Sequence, residues 1–100
     1  MKKIVLMCAG GMSTSIIMKN IKRAAEEEGL ECEVVARAIA DAADAGRDAD
    51  VILLGPQVGY AIDDVRASCP GVPVDVIEMI AYGMMDGKKA LAQAKVAMGI

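Results

Sequence analysis

Apolar and polar positions alternate along this chain in a regular succession of short runs and longer amphipathic stretches. Ile4-Val5-Leu6-Met7 is apolar at every position, which predicts a strand over residues 3–8 covered on both faces, as a parallel sheet requires. From Ser13 to Glu28 the period lengthens to that of a helix. Ile17, Ile21, Ala24 and Glu28 mark successive turns, and Met18 and Ala25 widen the stripe. Lys22–Glu26 and Arg23–Glu27 are spaced to pair along its wet side, and Gly29 is the expected stop. Residues 31–37 set Cys32, Val34 and Ala36 against Glu31, Glu33 and Arg37, the alternation of an edge strand with one wet face.

Ala38 to Ala45 predicts a short helix ending at Gly46. Val51-Ile52-Leu53-Leu54 is a second wholly apolar, buried strand, and Gly55-Pro56-Gln57 predicts a sharp turn after it. Val58, Ile62, Val65 and Cys69 then recur at helical spacing until Pro70-Gly71. Residues 72–76 form a fourth strand, with Pro73 at its beginning or on an edge. Met79 to Met85 suggests a helical turn broken by Gly83. Asp86 can cap a last helix that turns Leu91, Ala94 and Met98 inward.

Strand–helix alternation of this kind implies an α/β domain with a parallel sheet and helices on both faces. Four strands in the order 2-1-3-4 are the small doubly wound solution. The order reverses between the first and third strands, and open α/β sheets bind ligands at that switch, beyond the strand C-termini. Cys8 and Gly55-Pro56-Gln57 both land there. The architecture is an open three-layer sheet, resembling the low-molecular-weight phosphatase-like and Rossmann-like folds, in a single domain spanning residues 1–100.

Composition narrows the chemistry. A net charge of −3 over 100 residues argues against a nucleic-acid surface. The three cysteines, Cys8, Cys32 and Cys69, are widely spaced, which fits a reducing cytosol without a disulfide frame. With no histidine, a Cys–His dyad and a His-containing zinc site are both impossible within the chain. No metal or cofactor is expected. Only four apolar residues separate Lys3 from Cys8, and Met7 is not a small residue before that cysteine, so the start fails the signal-peptide pattern. No apolar run is long enough to span a membrane. The expectation is a cytoplasmic protein.

The informative stretch is Cys8-Ala9-Gly10-Gly11-Met12-Ser13-Thr14-Ser15. A strand ends on a thiol, two glycines allow a tight turn, and a helix opens on three hydroxyl residues. Unsatisfied N–H groups and the positive end of the helix dipole suit a tetrahedral oxyanion. A thiol in that field ionises more readily, and the thiolate is the nucleophile. Cys8 is therefore the candidate catalytic residue, with residues 9 to 15 as phosphate-binding cradle and Gln57 as a rim residue across the crevice. Met12 and Ile16 form an apolar patch suited to docking, and Tyr60 is expected to pack against the fold. Cys32 and Cys69, on apolar faces without such a loop, are expected to be structural.

Motifs of nucleotide enzymes are absent: there is no Gly-Lys-Ser/Thr and no GxGxxG. A Cys-x5-Arg phosphatase would need arginine where Thr14 stands. The cradle looks fit to hold a phosphoryl group on sulfur and poorly fit to hydrolyse it.

At these residues the chain resembles the IIB subunits of the bacterial sugar phosphotransferase system (PTS), of lactose/chitobiose (cellobiose) type. Residues 8–15 are similar to that family's active-site loop. Leu53-Leu54-Gly55-Pro56-Gln57-Val58-Gly59-Tyr60 is similar to its second signature, and Val76-Ile77, Tyr82-Gly83 and Asp86-Gly87 follow its C-terminal pattern. The resemblance implies one PTS EIIB domain over residues 1–100 and a two-step relay. Cys8 would take phosphate from a phosphohistidine of the IIA subunit and give it to a sugar held by the membrane IIC subunit. A small cysteine-dependent phosphatase and an anion-binding regulatory module are the alternatives.

Overall fold

The computed structural model describes residues 1–8 and 14–100, with only the backbone of Thr14. Its elements are β1 (Lys2–Cys8), α1 (Thr14–Glu27), β2 (Cys32–Ala38), α2 (Ala42–Ala45), β3 (Val51–Leu54), α3 (Ile62–Ser68), β4 (Val74–Val76), α4 (Met79–Gly83) and α5 (Gly87–Met98). Single-file 3-10 segments, Ile39–Asp41 and Pro56–Ala61, lead into α2 and α3.

The strands form one parallel sheet in the order β2-β1-β3-β4, as the hydrophobic pattern predicts. β1 is central, with Leu6 opposite Ala36 on one side and Leu53 on the other. Its alternation builds two cores. Ile4 and Leu6 join Ile17, Ile21, Leu53, Tyr82, Leu91 and Ala94 beneath α1 and α5. Val5 and Met7 join Ile52, Leu54, Val58, Val65 and Cys69 beneath α2 and α3. Each residue of β1 from Ile4 to Met7 is essentially inaccessible, which explains why the sequence reads as continuously apolar.

α1 runs back from the C-terminal edge of the sheet to the opposite edge, where Gly29 (φ +71°) adopts the left-handed conformation that ends it. α5 lies alongside in the same direction. Gly87, at its start, abuts Asn20, and near its end the Lys95 ammonium donates to Glu28 at 2.7 Å. Asp86 caps α5 as expected, its Oδ1 accepting from the Lys89 N–H at 3.1 Å.

Several expectations are corrected. The helix predicted over residues 38–45 is only α2, because β2 continues through Ala38 and a 3-10 turn intervenes. Gly55-Pro56-Gln57 is not a sharp turn: Gly55 stays extended (ψ 149°) and Pro56 opens a 3-10 segment, the position where a missing N–H costs nothing. That segment kinks at Val58, so Ala61 rather than Ile62 is fully buried. On β2, Val34 is buried and Ala36 is exposed, while Val35 packs against the other core, because an edge strand in a three-layer fold is partly covered on both faces. Glu27 pairs with Lys88 (3.8 Å) and Glu28 with Lys95, so the charges of α1 tie it to α5 rather than to itself. Tyr60 does not pack; it is 84 % exposed.

Candidate functional site

Because all four strands run the same way, Cys8, Ala38, Leu54 and Val76 end at one edge of the sheet, and α1 begins at that edge with Thr14. The edge is where the strand order reverses. Cys8, the last residue of β1, shares the face of Ile4 and Leu6 by strand parity. It is buried, keeping 9 % exposure where Met7 and Val5 have none. The chain thus carries its first thiol to the C-terminal end of its central strand. Ala9, Gly10, Gly11, Met12 and Ser13, together with the Thr14 side chain, lie outside the described residues. Ser15 is half-buried in the first turn of α1, and Ile16 beside it is 57 % exposed.

The other wall of the crevice follows β3. The Gly55 N–H donates to the Met7 carbonyl at 3.0 Å, extending the β1–β3 ladder by one step. A Cβ at Gly55 would fall 2.9 Å from Gln57 Oε1 and 3.7 Å from the Tyr82 ring. Glycine therefore lets the Gln57 amide fold back over the strand end. Pro56, Gln57, Met79, Tyr82 and Gly83 line an open, mostly apolar hollow of about 300 Å³. Tyr82 and Met79 reach the hollow from α4, and hydrophobic periodicity does not mark either as a wall residue. Tyr82 stood within a quoted motif, but nothing in one sequence says that a five-residue helix brings it beside Gly55.

Of the remaining thiols, Cys32 opens β2 and Cys69 follows α3. Burial pushes the Cys69 thiol up, and its Sγ donates to the Ala42 carbonyl at 3.2 Å. Burial also raises Cys32, with Lys22 partly offsetting it. Both stay protonated at neutral pH, and a thiol is a poor nucleophile. Arg37, one residue before the Cys8 partner Ala38, turns to Asp41 (3.8 Å) and Asp44 (3.5 Å). Among the described residues no group of acids or thiols is arranged to hold a metal, and no helix is long and apolar enough to cross a membrane.

Residues 3–93 match the family model described as PTS system, Lactose/Cellobiose specific IIB subunit. The chain belongs to this IIB family. Among curated relatives it is 45 % identical to the galactose-specific EIIB component of Lactococcus lactis subsp. cremoris over 101 residues, covering 94 % of each chain. It is 44 % identical to the cellobiose-specific EIIB component of Lactococcus lactis subsp. lactis, again with 94 % of each covered. The oligo-beta-mannoside-specific EIIB component of Bacillus subtilis is 42 % identical, with 94 % of this chain and 93 % of the relative covered. The solution structure of a cellobiose-specific IIB protein from Borrelia burgdorferi superposes with a TM-score of 0.79 at 30 % identity, covering 98 % of this chain and 92 % of that one. A lactose-specific IIB domain from Streptococcus pneumoniae gives the same TM-score at 21 % identity, covering 92 % of each, which shows the shared fold. This IIB chain is accordingly a phosphotransferase, the phosphocarrier component of a sugar PTS.

Proposed function

We propose that Cys8 is the residue on which this IIB chain carries its phosphoryl group. The observation behind this reading is positional. Cys8 closes the central strand at the switch edge, where α1 begins, while Cys32 opens β2 at the opposite edge and Cys69 follows α3. The donor, as the IIB family implies, is a phosphohistidine of a IIA subunit, and the lack of histidine in this chain agrees with an external one. The P–N bond of the donor breaks as the P–S bond forms. In the second step the P–S bond breaks as a sugar hydroxyl, held by a membrane IIC subunit, forms a P–O bond and releases its proton. Backbone N–H groups of residues 9 to 15, with the hydroxyls of Ser13, Thr14 and Ser15, cradle the phosphoryl oxygens. The covalent demand on the protein is small, because such transfers depend on positioning and on charge stabilisation.

The relay places the chain in the cytoplasm, with residues 1–100 acting as one IIB unit. Gln57 forms the rim opposite Cys8. Exposed Ile16 and Met79 (75 % exposed) flank the same edge and suit the docking of IIA. The substrate is a cellobiose-, chitobiose- or lactose-like sugar, a reading that the relative named for cellobiose supports. The test is phosphorylation by a phosphohistidine-bearing IIA protein followed by mapping of the labelled residue. Label should sit on Cys8, vanish in Cys8→Ser and persist in a Cys32→Ala, Cys69→Ala double variant. Full labelling of Cys8→Ser sinks the assignment.

A further inference from the structure

Gln93 stands on α5, outside every motif that points to the site, yet its side chain reaches the end of β4. Its Nε2 donates to Asp75 Oδ2 at 2.8 Å and to the Val76 carbonyl, and its Oε1 accepts from the Glu78 N–H at 3.2 Å. Both amide hydrogens and the amide oxygen are thereby used. The orientation is set by chemistry: turned over, the amide would put oxygen against a carboxylate and a carbonyl. Asp75 is itself held, its Oδ1 accepting from the Val76 N–H at 2.9 Å.

The three tethered residues bracket the point where the chain leaves β4 for α4. Glu78 precedes α4 without a side-chain cap, and its carbonyl accepts from the Tyr82 N–H at 2.9 Å. With five residues, α4 is too short to keep an orientation by its own backbone bonds. It nevertheless supplies Met79, Tyr82 and Gly83 to the hollow beside Gly55. One amide on α5 thus adds to what holds that wall, beside the Ile77 N–H donating to the Leu54 carbonyl and the buried Ile77, Ala81 and Tyr82.

We infer that Gln93 is a positioning residue of the carrier site. It helps to hold the α4 wall against which the phosphohistidine donor docks, and it touches none of the reacting atoms. The inference rests on Cys8 being the phosphoryl carrier. Losing three tethers, each of modest net worth, should loosen the wall and weaken donor docking without changing the chemistry at sulfur.

The experiment measures the rate of Cys8 phosphorylation against the concentration of phosphorylated IIA. The variants are Gln93→Met, which keeps the length of the side chain, and Gln93→Glu, which sets a second carboxylate against Asp75. Each should raise the KM for the donor roughly tenfold. The maximal rate, and the rate of Cys8 alkylation by iodoacetamide, should stay within about twofold of the parent, as expected when only docking is lost. Val65→Ala, which loosens the opposite core, serves as a control for stability alone and should leave KM unchanged. An unchanged KM in both Gln93 variants overturns the inference, as does an equal rise in Val65→Ala or a fall in maximal rate at constant KM. Failure of the carrier reading shows separately, as a parent protein that takes no label on Cys8.

Discussion

Gly87 and Asn20 meet at backbone distance: a Cβ on Gly87 would lie 2.3 Å from the carbonyl carbon and oxygen of Asn20. Neither atom can yield as a side-chain tip would, so the residue fixes how near α5 comes to α1. The Asn20 amide then donates to the Met85 carbonyl at 2.8 Å, holding the turn in which Met85 takes a positive φ of 54°. Gly87→Ala is expected to destabilise the chain by about 2 kcal/mol, in the range of overpacked cores. Urea unfolding should show a lower midpoint at unchanged slope.

Asp86 contributes by a different route, as the cap whose Oδ1 receives the Lys89 N–H. Asp86→Ala should cost about 1 kcal/mol, the usual worth of an N-cap. Asp86→Asn, which keeps an acceptor in place, should cost much less in the same unfolding measurement.

The thiols of Cys69 and Cys32 make stability depend on pH in the alkaline range. Cys69 and Cys32 have folded-state values raised above 9.0 by burial, so the unfolded chain releases these protons first. It then binds fewer protons than the native state, and stability falls as pH rises through the ordinary thiol value. Below that value both states hold the proton and the effect vanishes. Thermal unfolding between neutral pH and the alkaline range should show this decline, and a Cys32→Ala, Cys69→Ala variant should flatten it.

No steady hydrolysis of an aryl phosphate is expected. Thr14 occupies the place where a Cys-x5-Arg loop has its cation, and Arg37, at the neighbouring strand end, is engaged by Asp41 and Asp44. Release of inorganic phosphate beyond one equivalent per chain would show that transfer to water is supported without them.

Strand order, both buried strands and the long helices were legible because each rests on periodicity, and the sheet edge bearing Cys8 follows from topology alone. The segment after β3 was less so: a proline after an extended glycine permits either a turn or a 3-10 entry, and packing of Val58 and Ala61 decides between them. Tyr60, expected to pack, is 84 % exposed in the 3-10 segment that kinks at Val58. The Glu27–Lys88 and Glu28–Lys95 pairs and the Gln93 tethers join residues far apart in sequence, where no local pattern reports a contact. For the same reason the hollow formed by Pro56, Met79 and Tyr82 could not be read from spacing.

Met1 precedes β1, and the last turn of α5 is bonded to the residue just beyond α1. The two ends of the polypeptide therefore emerge together on the side of the sheet remote from the sulfur. A tag, a surface linker or a neighbouring polypeptide spliced to either end would leave the sheet edge at Cys8 uncovered.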